Sequence, residues 1–185
     1  RGTPPINGKS AGGGSMNDFL KYFFRFVVIM AVQLLLFEHL NLGTYLYPMP
    51  YILFLLLFPS AYPSWQLMLW GFAFGMGLDV LSTGITGLHT ASLVMLGALR
   101  NGMIKLIAVK GDFDDLSVPG FRSFGFARFT LFVLMSVALH HLVYFNLESF
   151  SFYLFWQTLA RLVSSLILNV FLILLFKRTF FEHRR

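Results

Sequence analysis

Cysteine is absent from this 185-residue chain, which removes disulfide frameworks, thiolate metal sites and cysteine nucleophiles together. Charge is scarce: only 12% of residues are Asp, Glu, Lys or Arg, against roughly 25% in an average soluble domain. The signatures of common catalysts are missing too. There is no HExxH zinc helix, no GxSxG elbow, no GxxxxGK phosphate loop and no repeated carboxylate pair. Neither an enzyme, a metal nor a cofactor is expected on these grounds.

What fills the chain instead is apolar. Hydrophobic residues make up 57% of it, with 23 phenylalanines and a mean hydropathy of +0.72. They come as long blocks rather than in helical or strand alternation, the pattern of a polytopic, all-α integral membrane bundle. The first fifteen residues, RGTPPINGKSAGGGS, are Gly/Pro/Ser-rich and precede a methionine. They read as a disordered cloning or linker remnant, and residues 16–185 as a single transmembrane domain.

Six hydrophobic segments can be drawn, at 19–40, 45–59, 65–82, 89–109, 126–145 and 152–176. Most approach the ~20 residues that cross a ~30 Å hydrocarbon core. The second is short and punctuated by Pro48, Pro50, Pro59 and Pro63, so a five-span arrangement with a re-entrant piece stays open. Basic residues set the orientation. Lys21, Arg25, Lys105, Lys110, Arg122, Arg128, Lys177, Arg178, Arg184 and Arg185 fall on one side of a six-span arrangement. The three opposite connections, NLGTYLYP, TGITG and NLESFS, hold no lysine or arginine. By the positive-inside rule both termini are cytoplasmic. Positive charge scattered along a membrane face also argues against nucleic acid as a partner. The cytoplasmic loop 110–125 pairs an acidic DFDD turn with phenylalanines and arginines suited to anionic lipid headgroups. Its aspartates lack the spacing of a calcium loop.

A charge at the bilayer centre costs roughly 2.5 to 3.5 kcal/mol on insertion scales, so each one needs a partner, water or a function. Asp79 lies in register with Gly71 and Gly75, with Ser82 following on the same side, while Ala73 and Gly77 form a second small pair. Small residues admit a neighbouring helix, so this face is expected to look into the bundle or hold a partner helix. In the last span Gln157, Arg161, Ser165 and Asn169 recur every four residues as a polar stripe. The expectation is an Asp79–Arg161 pair in the outer half of the bundle. Glu38, His89, His140 and Gln157 sit at the same level and are candidates for an outer pocket, with His39 and His141 nearby. No zinc spacing links these histidines, and adjacent His140 and His141 point about 100° apart on a helix, so neutral, hydrogen-bonded rings are expected. Arg100, with Asn101 and Lys105, is expected to snorkel toward the cytoplasm.

The stretch GMGLDVLSTGITGLHTA carries a family likeness. Gly75, Gly77, Leu78, Asp79, Ser82, Gly84 and Gly87, with Ala91 beyond, give it a pattern that resembles MreD, a bacterial rod-shape-determining membrane protein. That resemblance implies a non-catalytic inner-membrane component of the cell-elongation complex, helping organise peptidoglycan synthesis. It also implies association with a bitopic MreC-like protein and, through it, an actin-like MreB homologue, a RodA-type glycosyltransferase and a class-B penicillin-binding transpeptidase. The family's fold is similar to the substrate-binding subunits of energy-coupling-factor vitamin transporters. A small-molecule-binding transporter subunit is therefore the alternative reading, and an intramembrane hydrolase using Asp79 and the histidines a third. The first span lacks an alanine-every-four coupling face, since Ala31 stands nearly alone.

Overall fold

The computed structural model describes residues 16–40, 42–82, 85–109, 118–149 and 155–181. The remnant read at 1–15, residues 110–117 of the expected cytoplasmic loop, and Gly84, Lys110, Arg184 and Arg185 lie outside them. Every regular element among the described residues is a helix, and none is a strand. Helix α1 covers Met16–Val32 and runs on through a wider π-type turn, Gln33–Phe37. A 3-10 turn, Pro50–Ile52, leads into a single helical turn, α2, Leu53–Leu56. Then come α3 (Ser64–Leu81), α4 (Leu88–Ile107), α5 (Phe121–Ser149) and α6 (Phe155–Phe176), the last extended by a second π-type turn, Lys177–Phe181.

Among the described residues, four helices are long and apolar enough to cross a membrane: Met16–Phe37, Leu88–Ile107, Phe121–Ser149 and Phe155–Phe181. A 20-residue helix spans about 30 Å, the thickness of the hydrocarbon core. Helix α5 is broken at Gly125, whose φ of 75° and ψ of 166° are not helical, so its continuous part starts where the sequence places the fifth span. Helix α3 is 18 residues long and is less apolar because it carries Gln66 and Asp79.

The expected second transmembrane helix does not form. Pro48 and Pro50 lack the backbone N–H that a helix would use, and the residue before a proline is pushed toward extended conformations. Residues 46–49 accordingly take no regular structure, and only Leu53–Leu56 complete an α-helical turn. The segment nonetheless runs back alongside α1. The Gln33 amide Nε2 donates to the Pro48 carbonyl at 3.2 Å, and Tyr22 stacks on Phe58 with ring centroids 4.5 Å apart. It is the most deeply buried part of the protein: Tyr51, Ile52 and Leu55 are 0% exposed.

Non-helical backbone at membrane depth is tolerated only where protein or a water-filled cavity satisfies its polar groups. Here side chains from three helices do so. On α6, Ser164 and Ser165 donate to the Tyr45 carbonyl, and Ser165 Oγ accepts from the Tyr47 N–H at 3.1 Å. Asn169 takes the Met49 N–H on its Oδ1 at 2.5 Å and donates from Nδ2 to the Tyr47 carbonyl at 2.7 Å. At the other end, Arg25 of α1 donates to the Leu57 carbonyl. Arg100 of α4 donates to the carbonyls of Leu56, Phe58 and Pro59 and to Asn101 Oδ1. Arg100 is 0% exposed. It does not snorkel; it acts as a cation at the end of α2, where unpaired carbonyls carry partial negative charge. Around this segment Tyr22, Phe26, Trp70 and Phe74 close an aromatic core, with Phe54 stacked on Phe74 at 4.7 Å.

Helices α3 and α4 form the tightest helix pair. A Cβ built on Gly71 would lie 2.8 Å from the Leu93 carbonyl oxygen, and one on Gly75 would lie 2.7 Å from the Thr90 nitrogen. The small-residue face of α3 is therefore used up inside the molecule and is not the partner surface allowed for by the sequence. Gly77 faces Met30 of α1.

Two measurements of thermal unfolding in detergent check these assignments. Gly75→Ala is expected to force α3 and α4 apart and lower stability by about 1–3 kcal/mol. Arg100→Leu, which fills space but strands the carbonyls of the broken segment, is expected to cost about 3 kcal/mol, with Arg100→Lys intermediate.

Candidate functional site: the polar end of the bundle

Of the polar residues singled out by the sequence, Asp79, Ser82 and His89 come together where α3 ends and α4 begins. Gly87, the residue that caps α4, has a φ of 97° and no side chain to offer the free N–H groups of the first turn. Asp79, reaching over from the last turn of α3, supplies the missing acceptor. Its Oδ1 takes the His89 N–H at 3.1 Å and pairs with His89 Nδ1 at 2.8 Å. Its Oδ2 takes the Thr90 N–H at 3.0 Å and the Thr90 hydroxyl at 2.5 Å. His89 and Thr90 are the second and third residues of α4, the positions that an N-cap side chain normally serves. A carboxylate there also faces the positive end of the helix dipole. Asp79 is 5% exposed, and four donors surround it, which answers why an acid is tolerated so far along an apolar helix.

The expected Asp79–Arg161 pair is thereby corrected: the two residues bind different partners. Arg161 Nη2 donates to Tyr47 Oη at 2.7 Å and to Glu148 Oε1 at 3.1 Å. Its guanidinium carbon lies 4.7 Å from the Tyr47 ring centroid and 5.5 Å from that of Phe145, within cation–π range. The carboxylate nearest in the fold prevails over the one nearest in estimated depth. Glu148 and Tyr47 were passed over because both sit in connections that looked like solvated turns.

The candidates for an outer pocket separate. Glu38 and His89 line a cavity of about 500 Å³ together with Ser82, Tyr144 and Glu148. His140 lies deeper, and Gln157 is exposed on α6. His140 belongs to a buried polar chain. Its Nε2 is 3.2 Å from Tyr51 Oη, and its Nδ1 is 3.4 Å from His141 Nδ1. His141 Nε2 in turn is 3.1 Å from Asn169 Nδ2. All of Tyr51, His140, His141 and Asn169 are 0% exposed. Two adjacent rings can both take part because one contacts the broken segment and the other contacts α6. Their arrangement ties three elements together by hydrogen bonds that have no water to compete with them.

Chemically the site offers an Asp–His pair with a serine on the same cavity wall. Ser82 Oγ, however, has no hydrogen-bond partner, so the nucleophile–base hydrogen bond of a serine hydrolase is not made. Among the described residues no group of three or more His, Asp or Glu side chains is arranged to hold a metal ion. The chain matches no known protein family, no curated protein and no solved structure.

Two outcomes test the polar end. Asp79→Ala is expected to destabilise by about 1–2 kcal/mol through loss of the α4 cap, and Asp79→Asn by less, since the amide oxygen still accepts one N–H. A double-mutant cycle on thermal stability is expected to give about 1 kcal/mol of coupling between Arg161 and Glu148. Between Asp79 and Arg161 the same cycle is expected to give none.

Proposed function

We propose that this protein is a non-enzymatic, multi-pass component of the bacterial inner membrane that works by holding partner helices in the cell-elongation complex, in the manner of MreD. Both termini are cytoplasmic in this reading, because the basic residues cluster on one side of six crossings, the second of them made by the broken segment. The MreD-like residues support it through what they do. Gly75 and Asp79 build and cap the α3–α4 hairpin, which is an architectural task rather than a catalytic one.

The observation that carries the proposal is the flank of that same hairpin. A groove of about 810 Å³ runs along α3 and α4, with Phe72, Met76 and Val80 on one wall and Ala91, Val94 and Ala98 on the other. Phe72, Met76 and Val80 are 49%, 51% and 70% exposed. In lipid, helices associate by close packing against small residues rather than by a hydrophobic drive. A groove with alanines on one side and flexible methionine on the other suits the single membrane helix of a bitopic, MreC-like partner. Actin-like MreB, the RodA-type glycosyltransferase and the class-B transpeptidase would then be reached through that partner.

Because the chain has no cysteine, single introduced thiols test this directly. Met76→Cys and Ala98→Cys, in native membranes, are expected to crosslink to a stoichiometric bitopic partner, whereas Phe171→Cys on the exposed face of α6 is not. Crosslinking from Phe171 alone would overturn the docking face. Co-purification with paired ATPases and a coupling subunit would favour the transporter-subunit alternative over scaffolding.

A further inference from the structure

The cavity at the polar end holds more hydrogen-bond acceptors than its own walls satisfy. Gln33, 5% exposed, lines it. The Gln33 amide must present its NH2 group to the Pro48 carbonyl, an acceptor, so the atom left over is Oε1, and that oxygen has no hydrogen-bond partner. Glu148 gives one carboxylate oxygen to Arg161 and leaves Oε2 buried and unpartnered; Ser82 Oγ is in the same condition. Gln33 Oε1 and the ionised Glu148 Oε2 can only accept, and the Ser82 hydroxyl can accept as well as donate. Burying an unsatisfied polar atom costs about 1–3 kcal/mol, so two acceptors and a hydroxyl around one cavity favour an occupant that brings donors.

The charge of the walls says which kind. Glu38 and Glu148 line the cavity, with the carboxylate of Asp79 just behind His89, while no lysine or arginine lines it among the described residues. Arg161 reaches Glu148 and neutralises part of that charge, but it does so through the other oxygen. Tyr47, Tyr144 and Phe37 add aromatic faces, which attract cations through their ring quadrupoles. A volume of about 500 Å³ is within the range of small-molecule sites.

We propose that this cavity is a binding site for an organic cation, with an ammonium group held between Glu38 and Glu148 and its N–H donors directed to Gln33 Oε1 and Ser82 Oγ. The shared chemistry has two sources, a free amine or the ammonium of a phosphatidylethanolamine headgroup. The proposal does not depend on the partner-docking groove, which lies on the α3–α4 flank.

Titration calorimetry on the purified full chain in dodecylmaltoside tests it, with 1,4-diaminobutane as probe and 1,4-butanediol as its neutral counterpart. Saturable binding of the diamine and none of the diol is expected. Glu38 is exposed and makes no side-chain hydrogen bond among the described residues, so Glu38→Gln should weaken the diamine by about tenfold while leaving the unfolding temperature unchanged. Ser82→Ala should weaken it by a smaller factor. Equal binding of diamine and diol, no saturable binding, or full affinity in a folded Glu38→Gln variant would each overturn the site. Repeating the titration in nanodiscs of phosphatidylglycerol, with and without phosphatidylethanolamine, distinguishes the sources. Competition by the ethanolamine lipid assigns the site to a headgroup, and unchanged diamine affinity assigns it to a free cation.

Discussion

A peptide group inside a membrane protein must find its hydrogen bond within the protein, because the surrounding lipid offers none. Most of this chain meets that demand by being helical. The stretch from Tyr45 to Pro59 cannot, since its prolines remove donors and forbid a continuous helix, and the side chains of its neighbours meet the demand instead. Ser165 and Asn169 bind one end of it, Arg25 and Arg100 the other. Polar residues of α4 and α6 in this arrangement satisfy the backbone of a broken, buried segment. That is why Arg100 can be wholly buried with no carboxylate beside it among the described residues: carbonyl dipoles at the end of a helical turn take the place of a counter-ion.

The same logic runs through the α3–α4 hairpin. Glycines at 71 and 75 bring the two backbones close, and that closeness puts the last turn of α3 within reach of the first turn of α4. Asp79 then serves as a cap borrowed from another helix. Each feature depends on the other. A bulkier face would move the carboxylate away from the N–H groups of His89 and Thr90, and without the carboxylate those N–H groups would meet an apolar surrounding unpaired.

Structural duty therefore accounts for most of the intramembrane polar groups described, and function is left to surfaces and to the polar cavity at the ends of α1, α3 and α5. The groove flanking α3 and α4 is apolar and faces outward, as a seat for a helix would be. The cavity between the ends of α1, α3 and α5 is the opposite: acidic, lined with aromatic rings and short of donors. These two features lie on opposite sides of the α3–α4 turn and suit different kinds of ligand, a partner helix and a soluble or headgroup cation.

The blocks of apolar residues, 19–40 through 152–176, were enough by themselves to determine an all-helical membrane bundle, because a hydrocarbon solvent leaves few alternatives to a long helix. The prolines at 48, 50, 59 and 63 were enough to mark the second segment as irregular, since their effect on the backbone is local. The register of Gly71, Gly75 and Asp79 likewise showed that one face of α3 turns inward. Which group each polar residue would meet was decided only by the tertiary structure. Asp79 and Arg161 carry opposite charges in the outer half of the sequence-drawn bundle, yet they part company: a helix terminus lies beside one, and Glu148 with Tyr47 beside the other. In the polar stripe of α6, Arg161 does meet an acid, though Glu148 rather than Asp79, while Ser165 and Asn169 hold the backbone of a segment more than a hundred residues away, as the 2.5 Å bond from the Met49 N–H to Asn169 records. A residue's chemistry is written locally, but hydrogen bonds and ion pairs reach only a few ångströms, so its partner is whatever the packed helices bring within that distance.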